Sequence, residues 1–385
     1  MMAARASLVR RLTTALEASP SRIPVLLGGC GSGRTFLLEQ VRARPGHGPS
    51  QYVNVERSAT TPERFLRALL THSPFLNPAP DPASATARGA FEATLAFFDG
   101  ARGPGGEPVT FLLDEFLELR TFESFPGLRN VLHELLQTLA AGRNRFVLST
   151  RYVARAHRFL RDASARFEVI HMAPLTPAEV AEALTGTVAT SAGADRDDVA
   201  RAIHALADGR PAYVRAIAEE VAAMQARGGG DAVSALAALL APEGRLAETC
   251  AFCYELRLHR ARGYGALKAI LDILAADEPL TLTEISQRLQ RTPGSTKDYL
   301  SWLEDVDLVT ARQKRYSFAD PLLRLWVRLH CRPEPPGEEE VARDVQRYAL
   351  ARLPGPEPAL AMSGTASGAP SDARGPKDWG IIEID

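Results

Sequence analysis

The sequence is poor in cysteine: four in 385 residues, at Cys30, Cys250, Cys253 and Cys331. These are too few and too scattered for a disulfide framework and suit a reducing, cytoplasmic setting. Cys250 and Cys253 have the spacing of a redox or half-metal site, but no second Cys/His pair lies near them and their flanks read as an amphipathic helix. They are read as core residues. Also missing is any apolar run of the roughly 20 residues that a bilayer span requires. The basic N-terminus (Arg5, Arg10, Arg11) leads into an amphipathic helix with no apolar export segment, so no membrane partner is expected. Nor is there an excess of either charge. Lys plus Arg (45) against Asp plus Glu (46) argues against a chain whose main task is to coat nucleic acid, while leaving room for a local basic face. Internal repeats are absent too.

What is present, with 45% hydrophobic and 24% charged residues, is enough for two or three packed domains. Leu8, Leu12 and Leu16 predict a helix over about Ala4–Ala18, ended by Pro20. Short apolar segments at Val25–Leu27, Tyr52–Val55, Val109–Leu113 and Phe146–Ser149 then alternate with helical patterns from Thr35, near Pro62–His72 and near Leu128–Ala140. Buried strands alternating with helices imply a parallel sheet covered on both faces. Asn77–Gly89 and Asp99–Pro108 read as loops on composition. From Ala173 the texture changes: Thr176 can cap a helix with Pro177 at its first position and Glu179 at its third, and the chain stays Ala-rich and helical to about Leu240.

The chemistry is concentrated in three segments. Gly28, Gly29, Cys30, Gly31, Ser32, Gly33, Arg34, Thr35 and Phe36 join a predicted strand to a predicted helix with phosphate-loop spacing, except that arginine stands where lysine is usual. Glycines let successive N–H groups curl toward phosphate oxygens, reinforced by the helix N-terminus, and the Thr35 hydroxyl is placed for Mg²⁺. Second, the strand of Val109–Leu113 ends in Asp114 and Glu115, suited respectively to orienting the metal and polarising an attacking water. Third, another strand ends in Ser149, Thr150 and Arg151. Ser149 or Thr150 would lie beside the acidic strand as a polar sensor; Arg151 is either a charge stabiliser or a solvated strand end. The order of the three segments points to ATP with Mg²⁺.

The phrases GGCGSGRT, FLLDEFLEL, RFVLSTR, APLTPAEVAEAL and GRPAYVRAIAEEV, in that order, resemble the archaeal-type ATPase branch of the STAND/AAA+ P-loop proteins. The resemblance covers about Ala4–Leu329. It implies that the acidic pair lies in the LDEF-x-x-L phrase and that a Gly-x-Pro motif, here Gly209-Arg210-Pro211, brings Pro211 of a helical lid to the nucleotide; alternatively Pro211 simply starts a helix. It also implies signalling or stress-response ATPases, some of which oligomerise on binding nucleotide. Arg34 departs from the family. A planar fork on a longer stem replaces a compact ammonium, so binding should survive better than turnover. With Thr35, Asp114 and Glu115 retained, a slow ATPase is expected, with Glu115, Asp114 and Arg34 as its catalytic groups.

Beyond the lid, Gly263–Leu329 reads as helix, short strand, helix, turn, helix and basic hairpin, the order of a winged helix-turn-helix whose second helix is Ser295–Asp305. Ser295, Thr296, Lys297 and Tyr299, with Arg312, Lys314 and Arg315 of the hairpin, offer phosphate contacts for DNA. Against DNA stand Asp298, Glu304, Asp305 and Asp307, and no Arg, Asn or Gln between Thr292 and Val309 reads bases, so a protein partner fits as well. Trp302, Leu300, Leu303 and Leu308 have core spacing. From about Pro354 the chain reads as disordered, ending in an apolar cluster, Trp379, Ile381, Ile382 and Ile384, that would either dock on a sheet edge or fray. The expected architecture is an α/β P-loop core with a parallel sheet (1–172), a helical lid (173–245), a winged helix (246–335), and a linker with disordered tail (336–385). The expected function is a nucleotide-driven switch. A non-hydrolysing nucleotide sensor and scaffold, and an ATP-regulated DNA-binding regulator, are the alternatives.

Overall fold

Five short strands carry the N-terminal half: β1 (Ile23–Leu27), β2 (Ser50–Asn54), β3 (Thr110–Asp114), β4 (Arg145–Thr150) and β5 (Phe167–His171). All pair in parallel, in the order β2-β3-β4-β1-β5. The computed structural model describes residues 5–44, 48–75, 86–185, 193–259 and 263–353; the C-terminal tail, Trp379 and the three isoleucines included, lies outside the described residues.

Because β1 and β3 are buried along their whole length, their side chains serve two cores. On one face Leu26, Leu112, Val147 and Ile170 pack against Val9, Leu12 and Leu16 of helix Ala6–Glu17 and Leu37 and Leu38 of helix Arg34–Arg42. On the other, Phe111 stacks on Phe146 with ring centroids 5.4 Å apart, and Phe75, Phe97 and Phe98 meet Phe111 edge-on. In register, Leu27 lies beside Thr150, Leu113 beside Leu148 and Asn54 beside Asp114. The carboxyl ends therefore finish at one level, which is where an open parallel sheet presents a site.

Strand β5 and helix Ala87–Gly100 were among the elements not legible. The edge strand β5 is only partly buried, and its outward Glu168 pairs with Arg11 and Arg22, so it lacks the apolar run that marks its neighbours. Helix Ala87–Gly100 covers the end of one expected loop and the start of the other; Thr86 caps it by accepting from the Gly89 N–H, and Phe91, Phe97 and Phe98 anchor it. Residues 77–85 of the expected loop lie outside the described residues.

After the sheet come helices Pro177–Leu184, Gly193–Ala207, Pro211–Ala226 and Ala232–Leu240. The first starts on a full capping box between Thr176 and Glu179. Then follow helices Arg245–Leu258 and Tyr264–Ala276, strand β6 (Leu280–Thr281), helices Leu282–Leu289 and Pro293–Asp305, the hairpin β7 (Val309–Arg312) and β8 (Arg315–Phe318), and helix Pro321–His330. β8 lies between β6 and β7, antiparallel to both. Leu300, Leu303 and Leu308 are buried as their spacing predicts, whereas Trp302 is half-buried. Thr296, expected at a phosphate, is fully buried and bonds back to the Thr292 carbonyl. Residues 338–350, expected as linker, form a helix that buries Val341, Val345 and Ala349, ties Asp344 to Arg328 at 2.9 Å and donates from the Tyr348 hydroxyl to the Leu206 carbonyl.

Gly209 governs how the lid meets the sheet. It has φ +62°, its carbonyl accepts from the Leu175 N–H at 2.7 Å, and a Cβ there would lie 2.6 Å from the Leu175 carbonyl oxygen. Both strain and clash oppose any side chain. Gly209→Ala should therefore lower unfolding free energy by about 2–3 kcal/mol in urea titrations; unchanged stability would show that this junction relaxes freely.

Candidate functional site

At the end of β1 the chain curls through Gly31 and Gly33, both in the left-handed region at φ +75° and +86°. At Gly28 a Cβ would sit 2.7 Å from both Met172 Cβ and Ser32 Oγ, so only glycine lets the loop close. Helix Arg34–Arg42 begins at Gly33 with no side-chain cap, leaving its first N–H groups facing the loop's hollow.

β4, between β1 and β3, brings a hydroxyl to the acidic strand. Asp114 Oδ1 accepts from Ser149, and Oδ2 accepts from Thr35 Oγ1 at 2.7 Å and from the Tyr52 hydroxyl at 2.8 Å. Burial and the Asp114 carboxylate push the Tyr52 phenol up, so it stays a donor. Thr150 is different. Its Oγ1 accepts from the Tyr152 N–H and its carbonyl from the Gly28 N–H, which turns it into the backbone and leaves Ser149 as the hydroxyl that meets the carboxylate.

Glu115 sits in the left-handed region at φ +60° between two arginines. Arg34 Nη2 reaches its Oε1 at 2.5 Å; the Arg151 backbone N–H donates to Oε2 at 2.9 Å and Arg151 Nε lies 3.1 Å from Oε1. Arg34 Nη1 also donates to the Gly29 carbonyl at 2.6 Å and to Ser32 Oγ at 3.1 Å. Arg151 is no solvated strand end: it is 5% exposed and its Nη2 also binds Glu56 at 2.5 Å. Burial pushes the Glu56 carboxyl up, and Arg151 draws it back. Removing one member of such a buried pair typically costs 3–5 kcal/mol, because its partner keeps an uncompensated charge.

The lid and the C-terminal helices also reach the loop. The Ala212 N–H donates to the Gly31 carbonyl at 3.1 Å, so Pro211 starts its helix directly over the loop. Arg210 Nη1 donates to the Cys30 carbonyl at 3.3 Å and pairs with Asp320 at 3.3 Å, while Nη2 donates to the Ala319 carbonyl at 2.8 Å. Asp320 in turn caps helix Pro321–His330 and accepts from the Tyr213 hydroxyl at 2.8 Å. Arg257, 4% exposed, donates from Nη2 to Cys30 Sγ at 3.1 Å and from Nη1 to the Asp307 carbonyl at 3.3 Å. The Asp307 carboxylate accepts from the N–H groups of Val153 and Ala154, at the start of the helix that follows β4, and Arg158 on that helix pairs with Asp305. Among the described residues no cluster of three His, Cys, Asp or Glu could hold a metal ion alone.

Phe36, Leu37, Leu175 and Pro211 wall a small cavity of about 10 Å³ beside Gly33, with Arg5 and Gln40 in its lining. The Arg5 Nη atoms and Gln40 Oε1 are buried there without a hydrogen-bond partner. Tyr52, Arg5, Gln40, Arg257, Asp307 and Asp320 carry no motif. Arg210 had a signal, the middle of the Gly-x-Pro phrase, but a variable motif position gives no role.

Burial pushes the Asp307 carboxyl up to about 7, against the pull of Arg257 and the two N–H donors. Its value in the unfolded chain is about 3.9, so the folded chain holds a proton through the interval that the unfolded chain has lost. The resulting stabilisation is present below about pH 4 and is lost as pH rises through 7. The urea midpoint should fall between pH 5 and pH 8, and Asp307→Asn, which keeps an acceptor, should flatten that dependence; an equal slope in both proteins would refute it.

No family model matches the sequence, and no curated protein matches it. Solved structures do. The Walker-type ATPase of Pyrococcus abyssi superposes with a TM-score of 0.63 at 19% identity, over 85% of this chain and 96% of that one. The Orc1 protein of Aeropyrum pernix, solved in complex with DNA, gives 0.45 at 17% identity over 90% of this chain and 93% of that one. A signal-transduction ATPase with numerous domains (STAND) from Pyrococcus horikoshii, with a tetratricopeptide-repeat sensor, gives 0.33 at 16% identity over 89% of this chain and 44% of that one. Loop, acidic strand and sheet order together give this chain the fold of a Walker-type P-loop ATPase.

Proposed function

We propose that this chain binds ATP with Mg²⁺ and hydrolyses it slowly, as a switch whose state is felt by its C-terminal helical module. The observation that carries the reading is the convergence of Thr35, Asp114 and Ser149 on one side of the glycine loop and of Arg34, Glu115 and Arg151 on the other. A hydroxyl and a carboxylate oxygen are the hard donors Mg²⁺ takes, and with phosphate and water oxygens completing the shell no all-protein cage is required. Thr35 and Asp114 would hold that ion, which would neutralise charge on the transferring phosphate. The loop N–H groups from Gly28 to Phe36 cradle phosphate oxygens, Arg34 adds positive charge, and Ser149 orients Asp114. Glu115 is the base that polarises water. For that it must exchange an arginine for a water, so its two arginines keep turnover low.

The domains we assign are an ATPase core (1–172), a lid (173–245) and a winged helix (246–335), with helix Glu338–Leu350 as an added brace. Its exposed cations, Lys297, Arg312 and Lys314, leave DNA open as a ligand. Asp305 and Asp307 at the end of helix Pro293–Asp305 are engaged with the core, however, which favours a protein-facing or lid-packing module.

The same ion pair favours a second reading, a non-hydrolysing sensor, because Glu115 is held by two cations. Phosphate release and ATP binding, measured with Mg²⁺ for wild type, Glu115→Gln and Arg34→Lys, separate the two. A slow ATPase predicts wild-type turnover that falls about 100-fold or more in Glu115→Gln while binding persists, and rises in Arg34→Lys. No wild-type release with binding intact leaves the sensor; no binding in any of the three ends both. For DNA, a duplex at low salt should show no retardation if the module faces protein.

A further inference from the structure

The third residue of the glycine loop, Cys30, has surroundings that phosphate binding does not call for. Its sulfur accepts from Arg257 Nη2 at 3.1 Å. Cys253 lies one turn before Arg257 on helix Arg245–Leu258, so both face the loop, and its thiol lies beside the same sulfur. That neighbour is the main reason the Cys30 thiol lies well below its ordinary range, helped by the charges of Arg257, Arg151 and Arg34 and opposed by burial. Cys253 is held protonated, pushed up by neighbouring Cys30 and by burial. Cys250 and Cys331 are pushed up chiefly by burial. All four are free thiols, and Cys30 is only partly buried.

A cation-flanked sulfur with a second thiol beside it is the arrangement of an attacking and a resolving cysteine. We propose that Cys30 and Cys253 form a peroxide-oxidisable pair whose disulfide ties the glycine loop to helix Arg245–Leu258 and lowers affinity for nucleotide. In the first step the Cys30 sulfur attacks one oxygen of hydrogen peroxide. An S–O bond forms, the O–O bond breaks, and the departing hydroxide takes a proton and leaves as water, giving a sulfenic acid. In the second the Cys253 sulfur attacks the Cys30 sulfur; an S–S bond forms, the S–O bond breaks, and the oxygen leaves as water with the Cys253 proton. In all, two thiols lose two electrons to one peroxide, which becomes two waters. Arg257 then loses a free Cys30 sulfur as its partner and the loop loses the freedom to shape itself around phosphates. The effect on nucleotide rests on the function proposed above; the bond itself does not.

The test uses the full-length reduced chain, treated with stoichiometric hydrogen peroxide and quenched. Peptides mapped by mass spectrometry without reduction locate the bond, and a fluorescent ATP analogue with Mg²⁺ measures binding before oxidation, after it, and after dithiothreitol. A linked Cys30–Cys253 peptide, at least tenfold weaker binding and recovery on reduction are expected. Cys250→Ser should behave like wild type. Cys253→Ser should bind normally when reduced and, once oxidised, carry Cys30 as a dimedone-reactive sulfenic acid with no cross-link. A Cys250–Cys253 bond, no bond at all, or a Cys30–Cys253 bond that leaves binding unchanged would overturn the proposal. If the reduced chain binds no nucleotide the proposed function fails, and the peptide map alone then upholds or overturns the oxidisable pair.

Discussion

Glu115 cannot be held between two buried arginines unless the rest of the chain is arranged to bring them there. Arg34 comes from the helix after β1, Arg151 from the end of β4, and Glu115 from the end of β3. A charge cluster this deep is a poor source of stability and a strict condition on geometry: once three ionised groups leave water, each must find its partners or the fold pays for all of them. The parallel register, which ends these strands at one level, and the glycines, which let Arg34 turn back onto its own loop, meet that condition. The neighbouring carboxylate, Asp114, needs no cation because hydroxyls of Thr35, Tyr52 and Ser149 satisfy it. Two adjacent carboxylates thus have opposite surroundings, Asp114 among hydroxyls and Glu115 among cations.

Much of this was legible beforehand, for identifiable reasons. Phosphate loops and strand-end carboxylates are local signals, written within a few residues, so Gly28 to Thr35, Asp114 and Glu115 could be read directly, and Ser149 with them because strand β4 has a clear apolar run. The capping box at Thr176 is equally local. Tertiary pairings are not local. Nothing in the sequence of Arg257 distinguishes it from a solvated helix residue, and Asp307 looked like one more acidic group weighing against DNA, whereas it holds the start of a helix in the core. Composition misled at residues 87–89, 99–100 and 338–350: small and polar residues suggested loop and linker, but they belong to helices that Phe91, Phe97 and Phe98 in one case and Val341 and Val345 in the other anchor. Arg151 stood between two readings for the same reason, since a strand-end arginine is solvated only if no carboxylate is folded over it.

The loop is gripped from behind as well as from in front. Glycine-rich phosphate loops are usually considered from the hollow they present to a ligand, yet here the outer side of Cys30 and Gly31 is met by Ala212, Arg210 and Arg257, from two helical elements that lie far along the chain. The residues that shape the hollow and those that steady its back therefore belong to different parts of the sequence.

Arg210 carries the furthest consequence of that arrangement. One half-buried guanidinium, with its donors divided among the Cys30 carbonyl, the Ala319 carbonyl and the Asp320 carboxylate, joins loop, lid and C-terminal helices at a single point. A state in which only one of those contacts has opened leaves polar groups without partners in a site that excludes water, and such partial states are unfavourable. Separation of the three parts is therefore a single concerted event, and whatever removes one of these contacts weakens the hold of the other two.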